Sequence, residues 1–123
     1  MNNRDTIVSI ATPMGTGAIS VIRCSGSAVK NIIDIFFKKK LSPRKSHYLN
    51  FMSGEQILDD VIAIYYKSPN SYTGEDMLEI MCHGGPVMYQ LIIDEVLKVK
   101  ECRLAQAGEF SERAFLNNKM SLQ

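Results

Sequence analysis

The stretch SPNSYTGEDMLEIMCHGGPV, residues 68–87, constrains the fold of this chain more than any other part of its sequence. Residues 68–76 are rich in Pro, Asn, Ser, Gly and Asp, which favour turns and fit poorly in helices and central strands, so we expect a loop there. Residues 77–82 are apolar apart from Glu79 and predict a strand. The two glycines before Pro86 then suit the start of a helix, whose unpaired N–H groups should lie close to the end of that strand.

Two of the predicted strands each carry a single charge on an otherwise apolar face. Side chains alternate along a strand, so Glu79 shares a face with Met77 and Met81. By the same rule Arg23, in the strand predicted at residues 19–24, lies on an apolar face. An unpaired charge is costly to bury, so each of these side chains requires a partner.

Hydrophobic periodicity predicts the remaining elements. The predicted strands are residues 6–10, 19–24, 47–52, 57–66 and 77–82 with a short one at 101–105, and the predicted helices are residues 28–37 and 87–100 with a short one at 108–116. We expect residues 25–27 to cap the first helix and Leu91 to lie on the buried stripe of the second. The fold class is therefore α+β, with the principal order ββαβββα and a mixed sheet that carries both main helices on one face.

Composition limits the function classes. The 123 residues, 46% apolar and 22% charged, suit one globular domain, and the net charge of +1 gives no overall bias towards nucleic acid or anionic membrane. Three widely spaced cysteines, Cys24, Cys82 and Cys102, argue against a disulfide framework and a zinc site and favour a reducing cytosol. No run reaches the roughly 20 apolar residues of a membrane span, so we expect no membrane association.

The residues favour binding over catalysis. The chain lacks the nucleophile turn G-x-S-x-G, the metalloprotease pair H-E-x-x-H and the phosphate loop G-x-x-x-x-G-K-[ST]. Two explanations of the isolated charges stay open. Arg23 and Glu79 pair with each other, or Glu79 binds a heterocycle with two adjacent N–H donors, such as the edge of a pterin, while Arg23 holds an anionic tail.

The run Lys38–Lys40 also has two interpretations. Cations in the last turn of a helix interact favourably with the helix dipole, and we favour that structural role for the run at the end of the first predicted helix. The alternative is that these lysines, together with Lys45, contact RNA directly.

Several motifs in order resemble the N-terminal domain of the bacterial tRNA-modification GTPases known as MnmE or TrmE, over essentially the whole chain. The motifs are DTI at 5–7, ATP at 11–13, IRCSG at 22–26, PNSYTGED at 69–76, Glu79 with CHGGP at 82–86, and GEFSERAFLN at 108–117 with Lys119. The sequence departs from the family pattern at Met14, Thr16 and Ala107, where proline, arginine and proline are common, and the loss of the arginine removes a positive charge near the expected ligand.

The resemblance implies a specific ligand and assembly. It implies half of the folate-binding fold of glycine-cleavage T-proteins, completed by homodimerisation, with residues 1–118 as the folate-binding and dimerisation domain and 119–123 as the start of a helical domain. The implied cofactor is a tetrahydrofolate derivative, 5-formyltetrahydrofolate or 5,10-methylenetetrahydrofolate. The cofactor-binding residues carried over from the family are Arg23, Glu79 and Lys119. A simpler alternative is a dimerisation module with an internal Arg23–Glu79 pair.

The resemblance further implies that the full-length protein hydrolyses GTP with Mg²⁺ and K⁺ in a domain that these residues do not contain. It implies a cytoplasmic protein that acts with the FAD protein MnmG on carbon 5 of the wobble uridine at position 34 of certain tRNAs. This part of the chain is expected to be non-catalytic.

Overall fold

The computed structural model describes residues 4–11, 19–83 and 85–118. Six strands and three helices lie within them. The strands are β1 (Thr6–Ile10), β2 (Ser20–Ser25), β3 (Ser46–Ser53), β4 (Gln56–Tyr66), β5 (Met77–Cys82) and β6 (Cys102–Leu104), and the helices are α1 (Val29–Phe37), α2 (Gly85–Leu97) and α3 (Glu109–Leu116). The predicted α+β class and principal element order are confirmed, and the short strand and short helix that were expected near the C-terminus are also present.

All six strands join one sheet in the order β3-β4-β5-β2-β1-β6. Only the β1–β6 pair is parallel among the described strands, so the sheet is mixed as predicted. The two central strands, β5 and β2, are antiparallel neighbours, and Arg23 faces Glu79 directly in their register. Strands that are distant in sequence thus bring the two isolated charges together.

One face of the sheet and the two main helices form the core. Period-two alternation directs Val61 and Ala63 of β4 and Leu78 and Ile80 of β5 towards the helices, and all four side chains are fully buried. From α1, Phe36 stacks on Phe51 of the sheet with ring centroids 4.6 Å apart. Both main helices contribute to this single cluster, whereas Arg23 and Glu79 lie on the opposite face of the sheet.

The start of α1 differs from the sequence prediction. No side chain of residues 25–27 caps it; instead the Thr6 hydroxyl accepts a hydrogen bond of 2.8 Å from the backbone N–H of Ala28. Gly26 allows this contact, because a Cβ at that position would come within 2.4 Å of the Thr6 hydroxyl oxygen. The cap is therefore supplied by β1, through an approach that only glycine permits.

Two predictions about helix faces and ends were wrong. Leu91 of α2 is 44% exposed and Ile93 is buried in its place, so the packing face of α2 is rotated relative to the predicted stripe. The lysine run follows α1 rather than forming its last turn, since Lys38 adopts the left-handed conformation that ends the helix.

Candidate functional site

The two isolated charges form an ion pair on the face of the sheet away from α1 and α2. Nη2 of Arg23 lies 2.6 Å from Oε2 of Glu79, and Nε of Arg23 donates to the same oxygen at 3.0 Å. The Arg23 side chain is 33% exposed and the Glu79 side chain 17%. The structure thus contains the internal pair that the sequence left open as one of two explanations, and neither charge lacks a partner.

The pair borders a cavity. A space of about 200 Å³ is lined by Arg23, Tyr66, Tyr72, Met77 and Glu79. We call this space the Arg–Glu cavity. The Arg23 guanidinium carbon also lies 6.0 Å from the centre of the Phe110 ring of α3, at the limit of a cation–π contact. Aromatic walls around a carboxylate and a guanidinium suit a flat polar ring.

Tyr66 holds the second oxygen of Glu79. Its hydroxyl donates to Oε1 of Glu79 at 3.3 Å, a long hydrogen bond. Burial and the charge of Glu79 raise the pKa of Tyr66, so the hydroxyl remains protonated and a donor at neutral pH. Glu79 therefore has a tightly held oxygen and a loosely held one.

The loop of residues 67–76 reaches the cavity because α3 fixes it. The hydroxyls of Tyr72 and Ser111 lie 3.0 Å apart, and the Asn117 side-chain amide donates to the carbonyl of Thr73 at 2.9 Å. Thr73 is fully buried, with its hydroxyl 2.7 Å from that of Ser25. These contacts place Tyr72 on the cavity wall.

A buried ionic network anchors α3 beneath this loop. Arg113, 4% exposed, contacts Glu75 of the loop at 3.1 Å and Glu109 at 3.4 Å. Glu109 also binds Arg103 at 2.6 Å, and Arg103 binds Asp5 at 3.1 Å. Hydrogen bonding from Arg103 lowers the pKa of Glu109 to about 2, so its carboxylate stays ionised well into the acid range. The network joins the loop, α3, β6 and the segment before β1.

Other sequence-based expectations concern the cysteines, metals and membranes. All three cysteines are free, and burial raises the pKa of Cys24 and brings that of Cys82 and Cys102 to about 11. In the part of the chain that the structure describes, no cluster of three or more His, Cys, Asp or Glu residues is arranged for a metal ion. None of the helices in the described ranges is long and apolar enough to cross a membrane.

Comparison with known proteins settles the family. The sequence model of the family described as "GTP-binding protein TrmE N-terminus" matches residues 6–119. The chain belongs to this family. The match contains the whole Arg–Glu cavity, its loop and α3, so the site lies within the TrmE N-terminal domain.

Relatives of the TrmE N-terminal family agree over almost the full chain. Proteins named "tRNA modification GTPase MnmE" are 48% identical over 122 residues in Francisella philomiragia and 54% identical over 122 residues in Pseudothermotoga lettingae. A third, from Histophilus somni, is 45% identical over 121 residues. They cover 99%, 96% and 98% of this chain, whereas the chain spans 27% of the length of each relative. It therefore corresponds to about a quarter of these TrmE-type proteins.

The TrmE resemblance named three ligand residues, and the structure brings two of them together. Arg23 and Glu79 meet at the cavity. Lys119 lies outside the described residues, as do Met14, Thr16 and the proposed start of a helical domain at 119–123. The ligand-binding role of all three residues stays a prediction.

Several residues of the site were not singled out by sequence reasoning. Tyr66 and Tyr72 line the cavity, and Glu109 and Arg113 form the buried network. The spacing of Glu109 and Arg113, four residues apart on a helix, was the one available signal for their contact. Such pairs are usually exposed, so the spacing alone does not indicate burial.

Proposed function

We propose that this chain is the folate-binding and self-association domain of a tRNA-modification GTPase. In this proposal it binds a tetrahydrofolate derivative, 5-formyl- or 5,10-methylenetetrahydrofolate, as the one-carbon donor. The whole cytoplasmic protein, together with MnmG, then modifies carbon 5 of wobble uridine 34 in tRNA. GTP, Mg²⁺ and K⁺ belong to a GTPase domain outside these residues. The observation that carries the folate proposal is the position of the Arg23–Glu79 pair at an aromatic-walled cavity.

The chemistry of the Arg–Glu cavity suits the pterin ring of a folate. A carboxylate accepts two parallel hydrogen bonds from the adjacent N–H groups of such a ring, and these charge-assisted bonds are among the stronger ones in proteins. Oε1 of Glu79 can accept one of these bonds, because its hydrogen bond to Tyr66 is long, at 3.3 Å. Oε2 can accept the second if the Arg23 side chain moves away from it. The freed guanidinium is then available to the carboxylate tail of the folate.

The cavity is too small to hold a whole folate, so we expect other parts of the protein to contribute to the binding site. Pockets for drug-sized ligands usually measure about 300–1,000 Å³. The Arg–Glu cavity measures about 200 Å³, which is room for the ring end of a folate but not for the whole molecule. Residues beyond the described ranges, Lys119 among them, and a second copy of the chain are the candidates for the remaining contacts.

The open face of the sheet supports self-association. Its cross-strand neighbours Tyr48, Ile62, Met81 and Val21 form one row across β3, β4, β5 and β2. Tyr48 is 71% exposed, and the other three are half-buried. A contiguous, partly exposed apolar row on a sheet face is typical of an interface. A second copy placed on this face would also lie beside the Arg–Glu cavity, because Arg23 and Glu79 occupy the adjacent row of the same face.

A titration of the chain with 5-formyltetrahydrofolate, followed by calorimetry, tests the folate proposal. Saturable 1:1 binding per chain supports it. The observed ion pair favours a second candidate, in which the domain serves only as a dimerisation module and Arg23 and Glu79 stabilise the sheet. A dimer by sedimentation, without folate binding at millimolar ligand, would establish that second function and exclude the first.

A further inference from the structure

Three lysines from different parts of the chain border one surface cavity, which shares no lining residue with the Arg–Glu cavity. This cavity of about 460 Å³ is lined by Lys30, Ile33, Asp34, Lys40, Leu41, Pro43, Tyr65 and Lys67. We call it the basic cleft. Lys30 lies on α1, Lys40 follows α1 and Lys67 follows β4, so tertiary packing rather than sequence proximity assembles the three charges.

The lysines of the basic cleft are not neutralised within the fold. Among the described residues, none of the ion pairs includes Lys30, Lys40 or Lys67, whereas Lys98 on α2 is bound to Glu95 at 2.6 Å. Asp34 is the one acidic residue in the lining. The cleft therefore carries an excess of positive charge that is available to an anion.

Apolar side chains line the cleft beside the lysines. Ile33, Leu41 and Tyr65 are buried apolar side chains of its lining, which gives the aliphatic stems of lysines a surface to lie on while their ammonium groups stay in water. The Tyr65 hydroxyl is engaged with Asp76 at 3.4 Å, so the apolar ring remains as a wall. All three lysines are exposed, so their charges are accessible to a ligand.

Positive charge is concentrated around the cleft although the chain is nearly neutral. Residues 30–45 contain six of the 14 Lys and Arg residues but one of the 13 Asp and Glu residues. The nine residues of α1 span about 14 Å. Lys30 lies near the start of that helix and Lys40 follows its end, so the cleft draws its positive charge from both ends of α1.

The three consecutive lysines after α1 do not act together. Lys38 donates to the carbonyl of Gly54 at 3.0 Å, and Lys39 borders a separate cavity beside Tyr48. Only Lys40 enters the basic cleft. The relevant cations are thus Lys30, Lys40 and Lys67 rather than the run that stands out in the sequence.

We propose that the basic cleft binds the sugar–phosphate backbone of RNA, and that this RNA is the tRNA on which the full-length protein acts. The second half rests on the proposed function. Contacts of this kind position a nucleic acid without reading its sequence, and they weaken with salt because bound counterions are released. The cleft would orient the tRNA relative to the folate-binding domain.

The test compares two double variants that each remove two positive charges. Lys40→Gln with Lys67→Gln alters the cleft, and Lys98→Gln with Lys100→Gln alters exposed lysines at the end of α2. Binding of fluorescent tRNA to the 123-residue chain is measured by anisotropy from 50 to 200 mM salt. We expect the cleft variant to bind about tenfold more weakly at 0.1 M salt, with a salt slope smaller by roughly 1.5–2, and the control variant to match the wild type.

Several results of these and related measurements would overturn the RNA proposal. Equal losses in both variants, or no tRNA binding by the wild-type chain, would overturn the proposal. If inorganic pyrophosphate displaces tRNA at concentrations that leave the ionic strength unchanged, the cleft is a site for small anions. If the chain binds phosphatidylserine vesicles more strongly than tRNA, the cleft is a membrane-binding surface. Either result also overturns the proposal. Unchanged thermal unfolding of the variants excludes misfolding. Parallel titration with 5-formyltetrahydrofolate shows separately whether the folate proposal fails.

Discussion

Arg23 and Glu79, 56 residues apart in sequence, meet through two hydrogen bonds from one guanidinium to a single carboxylate oxygen. The other oxygen is held only by Tyr66 at 3.3 Å. The pair borders a cavity, with 33% of the Arg23 side chain and 17% of the Glu79 side chain accessible to solvent. A ligand in the cavity can therefore reach the loosely held oxygen of Glu79 without displacing Arg23.

Substitution of Glu79 separates ligand binding from stability. Glu79→Ala removes a charge-assisted interaction of roughly 1.5–3 kcal/mol, so affinity for 5-formyltetrahydrofolate should fall about ten- to a hundredfold. The free energy of unfolding should fall by less than the value of about 3–5 kcal/mol expected for a fully buried pair, because Arg23 is 33% exposed and can be solvated once Glu79 is removed. Calorimetry and urea unfolding measure the two effects. Glu55→Ala, in the exposed hairpin turn, is the matched control, and equal affinity of both variants would remove Glu79 from the site.

Loss of Arg113 should destabilise the fold far more than loss of an exposed charge. Arg113→Ala leaves the carboxylates of Glu75 and Glu109 without one of their cations, and breaking a buried pair in this way typically costs about 3–5 kcal/mol. Urea unfolding gives the change. Glu112→Ala, on the exposed side of the same helix, should alter stability by no more than about 0.5 kcal/mol. Similar values for the two variants would contradict a structural role for the network.

Acid should weaken the fold through Glu109. The folded-state pKa of this carboxyl is about 2, below its ordinary value of 4.5. Its contribution to stability is therefore fully present above about pH 4.5 and is lost as pH falls towards 2. The reason is that the Glu109 carboxyl binds its proton at a higher pH in the unfolded chain than in the folded one. Urea unfolding between pH 6 and pH 2 measures this loss. In Glu109→Gln the decline over that range should be shallower, and an unchanged slope would argue against Glu109 as its source.

Gly26→Ala should be much more damaging than Gly54→Ala. Both glycines have positive φ, 141° and 63°, but an added Cβ at Gly26 meets Thr6 at 2.4 Å whereas one at Gly54 meets nothing within 4 Å. We expect roughly 2–4 kcal/mol of destabilisation at Gly26 from strain and overpacking, against about 1–2 kcal/mol at Gly54 from strain alone. Thermal unfolding distinguishes them, and equal shifts would exclude the close contact with Thr6.

The open face of the sheet is tested by placing a charge on it. Met81→Lys introduces an ammonium group into the apolar row, and burying it between two copies would be unfavourable, so a dimer should dissociate. Val87→Lys is the control, because Val87 is 74% exposed on α2, which packs on the other side of the sheet. Sedimentation velocity over a range of concentrations gives the result. If Met81→Lys remains dimeric, the interface lies elsewhere.

The sequence determined where the elements lie. β1 and β5 were predicted with their observed ends, because alternation and helical periodicity are local patterns that the backbone geometry imposes directly. The loop before β5 followed from its turn-forming residues, and the charges of Arg23 and Glu79 stood out because each was alone on an apolar face. The motif resemblance also directed attention to Lys119, which no local pattern distinguishes from a surface lysine.

Only the tertiary structure decided which residues meet. The Arg23–Glu79 pair depends on β2 lying beside β5, the cap of α1 comes from Thr6 on another strand, and Lys40 joins Lys30 and Lys67 while Lys38 turns to the hairpin. Glu109 and Arg113, which sequence reasoning did not single out, pair in the interior. Such contacts follow from the packing of elements that are distant in sequence, and that packing is selected by the burial of the whole core rather than by any one segment.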